Sequence, residues 1–145
     1  MSYHLPVSGI TFIYLQHYEE SCRMLHDAFG LEEVIDYGYA RLYRATPNGF
    51  IGAVNHCQVT RRVTPDKGVT LCVVFDSLEH LQERHADLVE RGLNPPPVQK
   101  SKRLAYYSFT LPGPEGYHFE FGTFVQPAEA ALLNPAPRPD SLQRE

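Results

Sequence analysis

Twice along the chain, a run of β-branched and aromatic residues gives way to a helical period and then to alternating segments. The first passage reads GITFIYLQHYEESCRMLHDAFGLEEV and the second GVTLCVVFDSLEHLQERHADLVERGLNPP. Each opens on glycine, passes through residues suited to a strand, breaks at polar positions, and enters a stretch whose apolar residues recur at helical spacing. In the first helix Cys22, Leu25, Ala28 and Phe29 form the apolar stripe and Gly30 stops it. In the second, Asp76 stands at the cap, Glu79 completes a capping box, and Leu78, Leu81, His85, Leu88 and Val89 make the stripe before Gly92.

Strand signals follow each helix. The first unit offers residues 31–37, 40–45 and 50–55, with Pro47, Asn48 and Gly49 as the turn between the last two. The second offers a weak strand at 94–98, interrupted by prolines, then 104–111 and 117–123. Both halves therefore read β-α-β-β-β. The predicted fold is α+β: two βαβββ repeats, about 7–57 and about 68–124, forming a cupped mixed sheet around a cavity in a single domain over 1–125. From Gln126 to residue 145 the chain turns rich in Pro and Ala, and PAEAALLNPAPRPD predicts a short helical turn followed by an arm.

The closing stretch PGPEGYHFEFG carries the candidate chemistry. Strand alternation puts His118 and Glu120 on one face and Phe119 and Phe121 on the other. A carboxylate in an aromatic strand is costly to bury without a partner, so its neighbours matter. If Glu120 faces the cavity, strand parity aligns Ile10, Phe12 and Tyr14 with it, as well as Thr70, Cys72 and Val74, and Tyr106, Ser108 and Thr110. Thr11, Ile13 and Leu15 then pack under the first helix. Tyr37, Tyr39, Arg41 and Tyr43 lie on the middle strands of the first unit, where Arg41 would add a guanidinium to the cavity. Each tyrosine taken singly reads better as a sheet core residue, and only their number favours a ligand wall.

A doubled βαβββ unit with the segments EESCRMLHDAFGLEEV and GPEGYHFEF resembles the vicinal oxygen chelate superfamily, which includes glyoxalase I, bleomycin-resistance proteins, extradiol dioxygenases and fosfomycin-resistance proteins. The resemblance spans residues 7–124 and implies a glyoxalase/bleomycin-resistance-like domain and a homodimer. Its metal-dependent members take ligands from the first strand of each unit and from the last strands. Those positions fall here at Ile10 (or Ser8), Thr70 and Gly52, and only Glu120 survives. Gly113 also replaces the aspartate of the closing signature. One carboxylate does not hold a divalent ion against water, and His118 beside it leaves the set short. The other histidines fall away from the cup, apart from His56 at a strand end. The expectation is no metal and no cofactor.

Composition narrows the reading further. The chain has 145 residues, 43% of them hydrophobic and 21% charged, and a formal charge of -4. It is long enough for one cored domain. The lone basic cluster of Lys100, Lys102 and Arg103 gives no footprint for nucleic acid, and no apolar run is long enough to span a membrane. Cys22, Cys57 and Cys72 lack zinc spacing and are odd in number, which argues for reduced thiols. The opening MSYHLP lacks a charged-then-apolar leader, so the expected location is cytoplasmic.

Four functions remain open, the last a purely structural or interaction module, which would need a filled cavity. The first is a metal-free binding protein that sequesters an aromatic or natural-product-like small molecule. The second is a metal-independent isomerase, cyclase or lyase, with Glu120 as general base and Tyr14 or Tyr106 as proton donor or oxyanion partner. In both, Ile10, Phe12, Thr70, Cys72, Ser108 and His118 would contact the ligand. The third is a metal-dependent lyase, isomerase or dioxygenase with relocated ligands.

Overall fold

The structure, a computed structural model, describes residues 6, 8–58, 63–65 and 67–134. His4, the expected start of the first repeat at Val7, and the arm beyond residue 134 lie outside them. The first unit runs β1 (Gly9–Leu15), α1 (Tyr18–Arg23, continued by a π-helical stretch Met24–Ala28), β2 (Glu32–Asp36), β3 (Ala40–Thr46) and β4 (Gly49–Asn55). The second runs β5 (Thr70–Val74), α2 (Leu78–Glu90), β6 (Gln99–Lys100), β7 (Tyr106–Pro112) and β8 (His118–Phe124), and α3 (Pro127–Leu133) follows. Two four-stranded sheets result, in the orders β1-β4-β3-β2 and β5-β8-β7-β6. In each, the first strand lies parallel to the last and the other pairings are antiparallel. The α+β fold of two βαβββ repeats is what the alternating pattern predicts.

The helices occupy one face of each sheet, where its largest buried side chains gather. Ile13 and Leu15 of β1, Ile51 and Ala53 of β4, and Phe119 and Phe121 of β8 form one core with Leu25, Phe29, Leu81 and Leu88 of the helices. Phe29 joins the units: its ring lies 4.8 Å from Phe119 and 6.4 Å from Phe121. Phe109 stacks on Phe121 at 5.1 Å. Burial of such rings is the main favourable term in a domain of this size.

The helix ends show where local reading stops. Asp76 does not cap α2. Ser77 does, its hydroxyl accepting from the His80 backbone N–H at 3.1 Å, while the Asp76 carboxylate takes the His80 ring one turn along. Of the predicted stripe, Leu81 and Leu88 are fully buried, but Val89 is exposed. His85 donates to or accepts from no core group; its Nε2 meets the Pro96 carbonyl and its ring stands edge-on to Phe109. The weak strand expected at 94–98 forms only at Gln99–Lys100, since the preceding prolines have no N–H to offer a ladder. Gly30 and Gly92 both stop their helices at positive φ, +70° and +90°.

Arg41 and Tyr43 also depart from expectation. Across β3–β4, Arg41 pairs with Ala53 and Tyr43 with Ile51, both core residues, so both side chains lie on the helix side. Tyr43 is buried there and donates to the Cys22 carbonyl at 3.4 Å. The Arg41 guanidinium sits over the Tyr18 ring and pairs with Glu19, Glu33 and Asp36. It adds no cation to the helix-free face. Among the described residues no helix is long and apolar enough to cross a membrane.

Candidate functional site

The helix-free face of the second sheet is a grid of cross-strand rows. Thr70 pairs with His118, Cys72 with Glu120, and Val74 with Gly122. On the far side of β8, Pro112 meets His118, Thr110 meets Glu120, Ser108 meets Gly122, and Tyr106 meets Phe124. Residues paired across strands share a face. This fold therefore places Thr70, Cys72, Tyr106, Ser108, His118 and Glu120 on one surface.

Three of them touch. The Tyr106 hydroxyl donates to Glu120 Oε2 at 2.8 Å, and the Cys72 thiol donates to the same oxygen at 3.5 Å. Cys72 Sγ and Tyr106 Oη lie 3.5 Å apart. The arrangement depends on Gly122. The Tyr106 ring crosses that residue so closely that a Cβ there would collide with it. Phe124 covers the ring at 4.5 Å, leaving Tyr106 only 8% exposed. Tyr106 is thus a hydroxyl delivered to Glu120 and not the open aromatic wall that parity alone suggests.

Burial, reinforced by the bonds to Cys72 and Glu120, pushes the Tyr106 phenol far above its ordinary range. Burial also raises the Cys72 thiol; the bond with Tyr106 lowers it, and the nearby Glu120 charge raises it further. Both groups therefore stay protonated and serve as donors. Glu120 Oε2 takes both of them, and no donor of the described residues reaches Oε1. A half-buried carboxylate with one oxygen held and the other open can anchor a ligand's N–H or O–H, or accept its proton.

Ile10, Phe12 and Tyr14 lie on the corresponding face of the first sheet. Their rows are Ile10 with Phe50, Phe12 with Gly52, and Tyr14 with Val54. Ile10 and Phe12 are 43% and 49% exposed. No hydrogen bond or ring contact between described residues joins their side chains to Cys72, Tyr106 and Glu120. Tyr14 is tied instead through its backbone N–H, which donates to Tyr117 Oη at 3.3 Å.

The residues do not fit a metal centre of the kind the resemblance implies. Gly52 pairs with Phe12 as Glu120 pairs with Cys72, and a Cβ at Gly52 would meet the Phe12 ring at 2.5 Å. That ring fills the place a second carboxylate would need. Among the described residues no three His, Cys, Asp or Glu side chains gather closely enough to hold an ion.

A cleft of about 660 Å³ lies elsewhere, between the units, walled by Phe29, Ile51, Val73, Phe75, Phe119 and Phe121. Of the residues aligned with Glu120 by parity, Cys72 and Val74 border it. Two contributors escaped the sequence reading. Gly122 was signalled only by standing two residues from Glu120 on the same face. Glu115 had no local signal: its carboxylate caps α1 from the other unit, accepting from the Gln16 and His17 N–H groups at 2.8 and 2.9 Å and from the Ser21 hydroxyl at 2.9 Å.

No protein-family model matches the chain, and no curated protein matches its sequence. Its fold, by contrast, is shared with many solved structures. A glyoxalase/bleomycin resistance protein/dioxygenase from Nocardioides superposes with a TM-score of 0.69 at 12% identity, covering 87% of each chain. Lactoylglutathione lyase from Agrobacterium tumefaciens gives 0.61 at 15% identity, over 79% of this chain and 90% of that one. The fosfomycin resistance protein FosX from Mesorhizobium loti gives 0.57 at 15%, over 89% and 98%. The two βαβββ repeats, and the order and direction of their strands, are those of the vicinal oxygen chelate fold.

Proposed function

We propose that this protein binds an aromatic or conjugated small molecule on the Cys72–Tyr106–Glu120 face, with Glu120 as the polar anchor and no resident metal. One observation carries the reading: Glu120 is fixed by two protonated donors on a single oxygen while its other oxygen stays open. A fold used by proteins named as resistance proteins and as a lyase suits this role, although fold alone does not choose among chemistries. The binding protein acts in sequestration or resistance, in the cytoplasm and as a homodimer, with Ile10, Phe12 and Tyr14 completing the ligand's surroundings and Thr70, Ser108 and His118 at its edge.

A second reading is a metal-independent isomerase, cyclase or lyase. The open Oε1 favours it, because a general base needs a free lone pair facing the ligand. In that case Oε1 takes a proton from the substrate, while Tyr106 and Cys72 keep the carboxylate oriented through Oε2.

Glu120→Gln separates the two, since it keeps size and hydrogen bonding but cannot act as a base. For a binding protein the affinity changes by about 1 kcal/mol, one hydrogen bond's worth. For an enzyme, turnover falls by about a hundredfold or more while binding persists. Tyr14→Phe, measured in parallel, reports whether the first sheet's face takes part. If both variants bind and turn over the ligand as the parent does, the site lies elsewhere.

A further inference from the structure

The charge on this face is unbalanced. Tyr106 and Cys72 are neutral donors, so the trio carries the charge of one carboxylate. Four of the described arginines are engaged elsewhere. Arg41 pairs with Glu19, Glu33 and Asp36; Arg44 pairs with Glu32; Arg84 and Arg91 share Asp87. Among the described residues, no Lys, Arg or His forms an ion pair with Glu120.

A ligand settling on the face removes water from Oε1. What replaces that water decides which ligands bind. An anion would meet a carboxylate that no described Lys, Arg or His neutralises in an ion pair. An uncharged body without a donor would leave a desolvated charge unpaired, which is costly. A neutral hydroxyl or amide would restore one hydrogen bond but not the charge. A protonated nitrogen restores both, because a charge-assisted bond is about twice as strong as a neutral one. The surrounding hydroxyls of Thr70 and Thr110, both exposed, and of half-buried Ser108 can accept its remaining N–H groups.

We propose that the ligand of this face carries a protonated nitrogen, and that Glu120 Oε1 is its counter-ion. This inference rests on the reading that the Cys72–Tyr106–Glu120 face is the ligand site. It narrows the ligand class to organic cations, and places charge selection in a residue that the fold's usual metal role would have used as a ligand. The formal charge of -4 on the chain also favours the approach of a cation at low ionic strength.

The test uses three flat probes of one shape: 9-aminoacridine, a cation at neutral pH; acridine, which is neutral; and acridine-9-carboxylate, an anion. Two readouts run side by side on the full chain. One is affinity by fluorescence. The other is protection of the Cys72 thiol from alkylation in a Cys57→Ser background, where Cys22 is buried and Cys72 is the remaining exposed cysteine. The expected result is that 9-aminoacridine binds at least about tenfold tighter than acridine and shields Cys72. Glu120→Gln should erase that preference while acridine binding persists. Equal affinity for acridine, or tighter binding of the carboxylate, with Cys72 still shielded, overturns the charge inference and leaves the ligand face standing. If no probe shields Cys72 and none responds to Glu120→Gln, the ligand-face reading fails and the inference falls with it.

Discussion

Glu115 shows how much one residue can be asked to do. It holds φ +51° and ψ +38°, a left-handed conformation that costs a non-glycine residue about 1–2 kcal/mol. In return its carboxylate satisfies the N–H of the N-cap residue His17 and that of Gln16 before it, where His17 contributes no side-chain cap. Burial alone would raise its pKa. The bonds from Gln16, His17 and Ser21 outweigh that and hold it below the usual carboxylate range. A carboxyl whose folded pKa is depressed stabilises the fold above its unfolded pKa and loses that contribution as pH falls through the folded one. Glu115→Gln places an amide NH₂ among donors, and should cost about 1 kcal/mol at neutral pH, allowing for partial exposure. The gap between parent and variant, measured by urea titration, should close below about pH 4. A gap unchanged down to pH 2–3 would show that charge is not what Glu115 supplies.

Among the elements, β8 was the most legible and β3 the least. The alternation of His118, Phe119, Glu120 and Phe121 has one consistent reading, and the burial of the two phenylalanines follows it. The same period placed the β1, β5 and β7 faces. On β3 the expected cavity guanidinium failed: Arg41 and Tyr43 face the helices because they pair with the core residues Ala53 and Ile51 of β4, a register with no signature in local composition. Long-range partners such as Glu115 and α1 were invisible for the same reason. The trio at the site was half legible. Parity put Cys72, Tyr106 and Glu120 on one face, but only the ring's passage over Gly122 makes them meet. Gly122→Ala tests that. Alanine suits a strand better than glycine by about 0.5–1 kcal/mol, so the fold should persist. The new Cβ should push the Tyr106 ring off its seat and away from Glu120. An alkaline absorbance titration should then show one more phenol ionising near the ordinary tyrosine range, about 10. An unchanged titration curve would mean that the ring never depended on the glycine.

At the scale of the whole molecule, the two units share a core on their helix sides and leave their other faces open. β1 and β5 each stand at the end of a sheet, and neither pairs with the other. On the β1 face Ile10 and Phe12 are about half exposed, with Ile35, Tyr37 and Tyr39 of the same unit also exposed. Apolar side chains beside an unpaired strand edge are a surface that proteins usually cover, because the edge invites pairing and the patch loses free energy to water. A second copy is the expected cover. Light scattering should give about 33 kDa, twice the chain's 16.5 kDa, and the melting temperature should rise with concentration, since association stabilises only the folded state. Phe12→Asp puts a charge on the exposed patch without removing a buried core group. It should return the protein to about 16.5 kDa and remove the concentration dependence, leaving the helix content intact. A parent protein that scatters as a single chain at every accessible concentration would defeat the dimer and leave the fold untouched. A Phe12→Asp protein that remains at twice the chain mass would place the contact elsewhere on the surface.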